Sequence, residues 1–231
     1  MSTLPITDRS KIRRLPSRGE YDVEVIRAII DDALICHLGT NRHGAPMVMP
    51  TACWRIGDYV YFHGAPASRT LKASAVKPVC LTVTHIDGLV MARSAFHHSV
   101  NYRSVLIFGQ PETVAEGDKE AVLRAFVDHV APGRWEGLRP ITAKELKGTA
   151  VLRLAISEAS AKIRTGPPVD DDEDYALPIW AGLVPITLTK GEAVSDPKLN
   201  QGVGVPEGLV ETCWPRLAGE LLWRVVHSVL G

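Results

Sequence analysis

The chain has 231 residues, 45% of them hydrophobic and 23% charged, the proportions of a globular domain rather than of a disordered chain. Lys and Arg number 26 and Asp and Glu number 26, so the formal net charge is zero. That balance argues against a protein that holds nucleic acid by neutralising phosphates, which shows a basic excess or stripe.

Taken in chain order, the first helix is expected over residues 22–34, with Asp22 as N-cap, Glu24 in the first turn and Val23, Ile26, Ile30, Ala33 and Leu34 on an apolar face. Strands are then predicted over 35–40, 47–56 and 59–63, separated by turns at 41–44 and 57–58. A short helix over 68–75 starts at Ser68. Residues 79–86 and 89–93 read as two strands of a hairpin turning at Asp87-Gly88, and 102–114 as a long strand broken near Gly109 and Pro111.

The next helix spans 118–130 with Val122, Phe126 and Val130 on one face, and Pro132-Gly133 stops it. A short helix over 142–147, strands over 149–157 and 159–164, a solvated acidic connection over 170–174 and a last strand over 184–189 follow. In the tail, Leu217, Leu221, Val225 and Val229 recur at helical spacing. About seven short strands with a few helices between them indicate an α+β fold built on an antiparallel barrel or sandwich.

Residues 1–16 are polar and basic without an apolar stretch, so no secretory signal is expected. The most apolar long segment, 217–230, is short and carries Glu220 and Arg224, so no membrane span is expected either. The four cysteines, at 36, 53, 80 and 213, form no CxxC pair. Neither a disulfide scaffold nor a metal site is therefore expected, Cys36 and Cys80 read as small buried hydrophobes, and a cytoplasmic location follows.

No GxSxG, P-loop, HExxH or strand-linked GxGxxG occurs, and the eight histidines match no common metal spacing. On a strand, His97 and His98 would point to opposite sides, leaving one at most for a site. The informative stretch is Val60-Tyr61-Phe62-His63-Gly64-Ala65-Pro66-Ala67-Ser68-Arg69-Thr70-Leu71-Lys72. A strand end, a loop of small residues and a helix start in that order offer backbone N–H groups to an anion; Arg69 can fork two phosphate oxygens and Lys72 adds a point charge. The same residues also fit a plain serine cap with solvated cations, and spacing alone favours that reading.

Together with four other segments, this stretch resembles the flavin-binding split-barrel family of the pyridoxamine phosphate oxidases, and more closely its nitroimidazole-resistance-like branch. The other segments are Arg14-Leu15-Pro16-Ser17-Arg18-Gly19-Glu20-Tyr21-Asp22, Asn101-Tyr102-Arg103-Ser104-Val105, Ser160-Ala161-Lys162 and Trp180-Ala181-Gly182-Leu183-Val184-Pro185. The resemblance covers roughly the first 190 residues. It implies an α+β fold, a six-stranded antiparallel split β-barrel with peripheral helices, and a homodimer with FMN at the subunit interface. Residues 1–198 would form the FMN-binding domain, and 199–231 a C-terminal extension with an amphipathic helix.

By the same resemblance, Ser68 and Arg69 match the phosphate-binding pair, while Thr70 stands where the oxidases carry lysine, so Lys72 replaces that charge if the helix turns it inward. His63, followed by Gly64, matches the last strand position beside the flavin and is the acid/base candidate. Ser104 falls where the oxidases carry glutamine. Tyr102 and Ser104 share a strand face toward the ligand, and Arg103, on the other face, goes to a structural pair. Trp180 matches a tryptophan reaching the flavin from the second subunit, or is a core or interface aromatic. Lys162 lies near the flavin edge, or pairs with the acidic run.

The chain departs from the oxidases at Met47-Val48-Met49-Pro50-Thr51, apolar where they are charged, and no arginine matches their substrate-phosphate ligand. Vitamin B6 oxidation is therefore not expected. The expected function is an FMN-dependent oxidoreductase reducing a small organic acceptor, nitroaromatic or quinone-like. The alternatives are a haem-binding or haem-handling protein, with His63, His97 or His98 as axial ligand, and a flavin carrier without turnover.

Overall fold

The computed structural model describes residues 2–42, 44–206 and 209. A two-residue strand, β1 (Gly19–Glu20), leads into α1 (Val23–Asp31), whose first turn is closed by Asp22 accepting from the N–H groups of Glu24 and Val25. Then come β2 (Ile35–Arg42), β3 (Ala45–Ile56), β4 (Tyr59–Gly64) and α2 (Arg69–Ser74). β5 (Val79–Met91), β6 (Ser99–Gly109), β7 (Glu112–Thr113), α3 (Lys119–Val130) and α4 (Ala143–Lys147) follow, and β8 (Ala150–Ala155), β9 (Ala159–Arg164) and β10 (Gly182–Pro185) complete the described elements.

All strand pairs are antiparallel and join one ten-stranded sheet in the order β1-β9-β6-β5-β2-β3-β4-β8-β7, with β10 on β5. The α+β class stands. The arrangement is consistent with a split barrel, but the expected count of six strands is not confirmed, since the described sheet has ten strands and its hydrogen-bond ladder does not close. What curls it is the link between β8 and β9. These strands are consecutive in the chain yet lie toward opposite ends of the sheet, β8 on β4 and β9 on β6. A link of three residues spans that gap only if the ends approach. Ile156 N–H donates to Asp58 O at 2.8 Å, and Phe108 N–H to Glu158 O at 2.9 Å.

The curled sheet encloses one main core, in which Val60 and Phe62 of β4, Leu152 and Leu154 of β8 and Val105 and Ile107 of β6 meet Ile26, Ile29 and Ile30 of α1. Each such side chain stabilises the fold by about 1.5–3 kcal/mol on burial. A second, smaller core forms between β3, β4 and β8 on one side and α3 on the other, around Trp54, Tyr61, Val122, Leu123 and Val151. Cys36 and Cys53 are buried and Cys80 is half-buried.

Several local expectations fail for tertiary reasons. Asp87-Gly88 is not a turn: β5 runs through it as one strand, with a register shift between Ile86 and Gly88 opposite β6. Gly88 is needed there because β10 crosses it, and a Cβ would come within 3.1 Å of Val184 O. The last strand, β10, starts earlier than expected, at Gly182, because its partner on β5 is Met91. On α3, Val122 and Leu123 are buried, while Val130 faces outward.

Nor is the acidic run wholly solvated. The Asp170 carboxylate is buried and takes Nη1 of Arg93 at 2.9 Å. The amphipathic tail helix and Cys213 fall outside the described residues.

Candidate functional site

The structure places the sequence-predicted residues in three neighbourhoods. The first is α2 with the end of β4. Ser68 caps α2, its Oγ accepting from Leu71 N–H at 3.4 Å. Leu71 packs into the main core against Gly64, where a Cβ would meet Leu71 Cδ1 at 2.9 Å. The opposite side of the helix carries Arg69 and Lys72, which are exposed, three residues apart and so neighbours on the helix surface. Neither has an ion-pair or hydrogen-bond partner among the described residues. At six residues α2 has little dipole to offer, so these two cations are what the segment presents to an anion.

His63 belongs to a different layer. Val60 and Phe62 face the main core, so alternation turns Tyr61 and His63 toward α3. The imidazole lies 5.6 Å from the Trp54 ring and 5.0 Å from Phe126, centroid to centroid. Burial lowers its pKa from the ordinary 6.5 and favours the neutral ring. Its Nδ1 and the neighbouring Trp54 Nε1 are both buried without a hydrogen-bond partner.

The second neighbourhood is the face of β6 and β9 carrying Tyr102, Ser104 and Lys162. Register sets Ser104 opposite Lys162 and Tyr102 opposite Arg164, so all four share one face. Ser104 Oγ donates to Lys162 O at 3.3 Å. Lys162 Nζ donates to Arg14 O at 3.1 Å, so it serves the N-terminal segment rather than the acidic run. Arg103 points the other way, as alternation required. It is 5% exposed and pairs with Asp32 at 2.7 Å and Asp87 at 2.9 Å. Burial alone would lower its pKa, but the two carboxylates more than offset this and raise it.

Sequence reasoning missed Arg164, two positions beyond Lys162. The signal was present: Lys162-Ile163-Arg164 on a strand puts two cations on one side.

The third neighbourhood gathers the 93–98 and 166–175 loops. His97 sits in a turn and His98 directly after it, ahead of β6, rather than on a strand. His97 Nε2 lies 3.4 Å from Asp171 Oδ2, and His98 Nδ1 donates to Ser94 O at 2.8 Å. Arg93 stacks over Tyr175 with its Cζ 4.8 Å from the ring centroid, and Phe96 beside the histidines is 88% exposed. Trp180, 67% exposed, stands just before β10 with its ring against Gly182. The described residues contain no group of three His, Cys, Asp or Glu that could hold a metal ion, and no helix long and apolar enough to cross a membrane.

A family profile described as pyridoxamine 5'-phosphate oxidase matches residues 22–163. The chain belongs to the pyridoxamine 5'-phosphate oxidase family. Within the structures related to this family member, the flavocytochrome Anf3 from Azotobacter vinelandii is 46% identical, with a TM-score of 0.85 over 88% of this chain and 95% of that one. The FAD and heme binding protein from Mycobacterium smegmatis is 36% identical, with a TM-score of 0.81 over 83% of this chain and 95% of that one. A protein named for 5-nitroimidazole antibiotic resistance, from Bacteroides thetaiotaomicron, shares the fold at 19% identity and a TM-score of 0.52, over 62% of this chain and 84% of that one. Among curated proteins none matches.

Proposed function

We propose that this family member binds a flavin nucleotide and haem and passes electrons to a small organic acceptor, nitroaromatic or quinone-like, as a homodimer. The observation that carries the reading is the 46% identity, over 88% of the chain, to a flavocytochrome. The alternatives of flavin or haem left open by the residues thereby become a single reading with both. The residues present fit both groups. Arg69 and Lys72 are exposed cations without a partner among the described residues, suited to a flavin phosphate. Ser68 orients their helix, and Tyr102, Ser104 and Lys162 offer hydroxyls and a positive charge on one sheet face.

For haem iron, His98 has the arrangement of an oriented ligand. Its Nδ1–H is held by Ser94 O, which fixes the tautomer and leaves Nε2 as donor to a metal. Its neighbour Phe96 supplies exposed apolar surface of the kind a porphyrin covers. His63 is the second candidate, neutral and with an unpartnered ring nitrogen. A bound flavin and haem supply hydride and single-electron transfer; this chain binds and orients them, with Trp180 free to cover a ligand or a partner subunit.

The test is the absorption spectrum of the purified full-length protein with FMN, FAD and haemin added in turn, followed by gel filtration. Flavin bands and a Soret band that both travel with the protein are expected. Arg69→Ala should weaken flavin binding about tenfold or more, and His98→Ala should change the Soret band. A spectrum silent after every addition overturns the proposal, and unchanged flavin affinity in Arg69→Ala overturns the phosphate assignment. Sedimentation of the loaded protein reads the homodimer directly.

A further inference from the structure

A buried guanidinium needs a counter-charge, and Arg164 has none within the described chain. It ends β9 with 6% exposure. One Nη donates to Oδ1 of Asn101, which is neutral, and Nε is buried with no partner at all. Asn101 is itself tied down, its Nδ2 donating to Gly166 O at 3.1 Å. Such a group is costly to keep unless something negative completes it.

Its surroundings are positive. Lys162 shares its strand face, and β1 pairs alongside with Gly19 opposite Lys162, which brings the preceding residue, Arg18, near. Burial first, and the like charge of Arg18 second, lower the Arg164 pKa. Arg14 joins the group through its carbonyl, which takes Lys162 Nζ at 3.1 Å. Among the described residues no carboxylate pairs with Arg14, Arg18, Lys162 or Arg164. The strap holding Arg14 and Arg18 contains Leu15, the one described non-glycine residue at positive φ, 55°. Strain of this kind persists where surroundings over-determine a loop, and it clusters at ligand sites.

We infer that the end of β9 and the Arg14–Arg18 strap form an oxyanion site, completed by a phosphate or carboxylate of a bound ligand, with Arg164 as its buried fork. Tyr102 and Ser104 add hydroxyls on the same face. The site is separate in the chain from Arg69 and Lys72 but shares Tyr102, Ser104 and Lys162 with the face proposed for the flavin. It therefore extends that reading, and its test, with α2 stripped of its arginine and small anions as probes, fails separately from it.

The test is calorimetric titration of full-length Arg69→Ala protein, in which α2 contributes no arginine, with inorganic pyrophosphate and separately with succinate. Saturable binding of at least one is expected, and adding Arg164→Gln should weaken it about tenfold or more, as loss of a charge-assisted fork does. Tighter pyrophosphate binding assigns the site to a phosphate ester, and tighter succinate binding to a carboxylate. Should the Arg164→Gln protein not fold, Arg18→Gln carries the same comparison from the half-buried end of an otherwise exposed strap. No binding of either anion, or binding unchanged by both substitutions, overturns the inference.

Discussion

Arg103 and Arg164 stand on the neighbouring strands β6 and β9 and are almost equally buried, at 5% and 6% exposure. Yet Arg103 lies between Asp32 and Asp87, whereas Arg164 has only an amide oxygen. Their pKa values move in opposite directions, up for Arg103, where two carboxylates outweigh burial, and down for Arg164, where nothing does. Burial alone therefore does not tell a structural charge from a functional one; the partner does. Arg103 joins β5, β6 and the end of α1 from within, and Arg164 is left for something from outside.

The comparison breaks most directly by removing each arginine. Arg103→Met leaves the Asp32 carboxylate buried beside a half-buried Asp87 and should cost about 3–5 kcal/mol in urea unfolding, the usual penalty for one partner of a buried ion pair. Arg164→Met abandons no acid, only the Asn101 amide, and should cost about 1–2 kcal/mol. Equal costs would mean that Arg164 has an internal partner after all.

The strap beside Arg164 offers a smaller effect of opposite sign. Leu15 holds a left-handed conformation (φ 55°, ψ 65°) and is largely exposed. Leu15→Gly should therefore raise the thermal midpoint, stabilising by about 1 kcal/mol as the Cβ clash disappears. A lower midpoint would show that the leucine side chain, not the ligand site, keeps the strap in place.

His63 tests how the fold treats a titratable ring with an unpartnered nitrogen. Burial holds its pKa below the ordinary 6.5, so the folded protein keeps it neutral while the unfolded chain takes up a proton as pH falls. The unfolded state then binds more protons, and stability drops on acidification from 6.5 toward the lowered value. Thermal midpoints measured from pH 7.5 down to 5 should fall more steeply in the wild type than in His63→Leu (an order-of-magnitude window set by histidine chemistry). Parallel curves would show that the ring is not held neutral.

The smallest effect belongs to a surface charge satisfied like Arg103. The Arg139 guanidinium and the Thr142 N–H and hydroxyl push the Glu145 pKa down to about 2. That contribution is present above the ordinary 4.5 and fades as pH falls from there toward 2. Being exposed, the pair is screened, and Glu145→Gln should alter only the acid limb of the stability curve and leave the neutral plateau nearly unchanged. A large loss at neutral pH would reveal a coupling that the exposed geometry does not contain.

What was legible in the chain was local. Asp22 and Ser68 cap helices where a short polar side chain precedes an apolar period. Alternation alone separated Arg103 from Tyr102 and Ser104, because a strand offers only two faces. Arg69 and Lys72 share the exposed surface of α2, as their spacing required, and the family resemblance was read from five short segments in order.

What failed did so where a distant strand intervened. Asp87-Gly88 has turn chemistry, but β6 on one edge and β10 on the other hold it extended. Asp170 begins a run with the composition of a solvated loop, but Arg93 draws it inside.

The sequence by itself therefore determined the α+β class, the helix caps, most strand positions and the family, because propensity, capping and alternation act between residues a few positions apart. Only the tertiary structure decided that ten strands curl without closing, that His63 faces α3, and that Arg164 is buried without an acid. Those outcomes depend on which strands pair across the chain and on which charges reach one another there. Neither is written within any single segment.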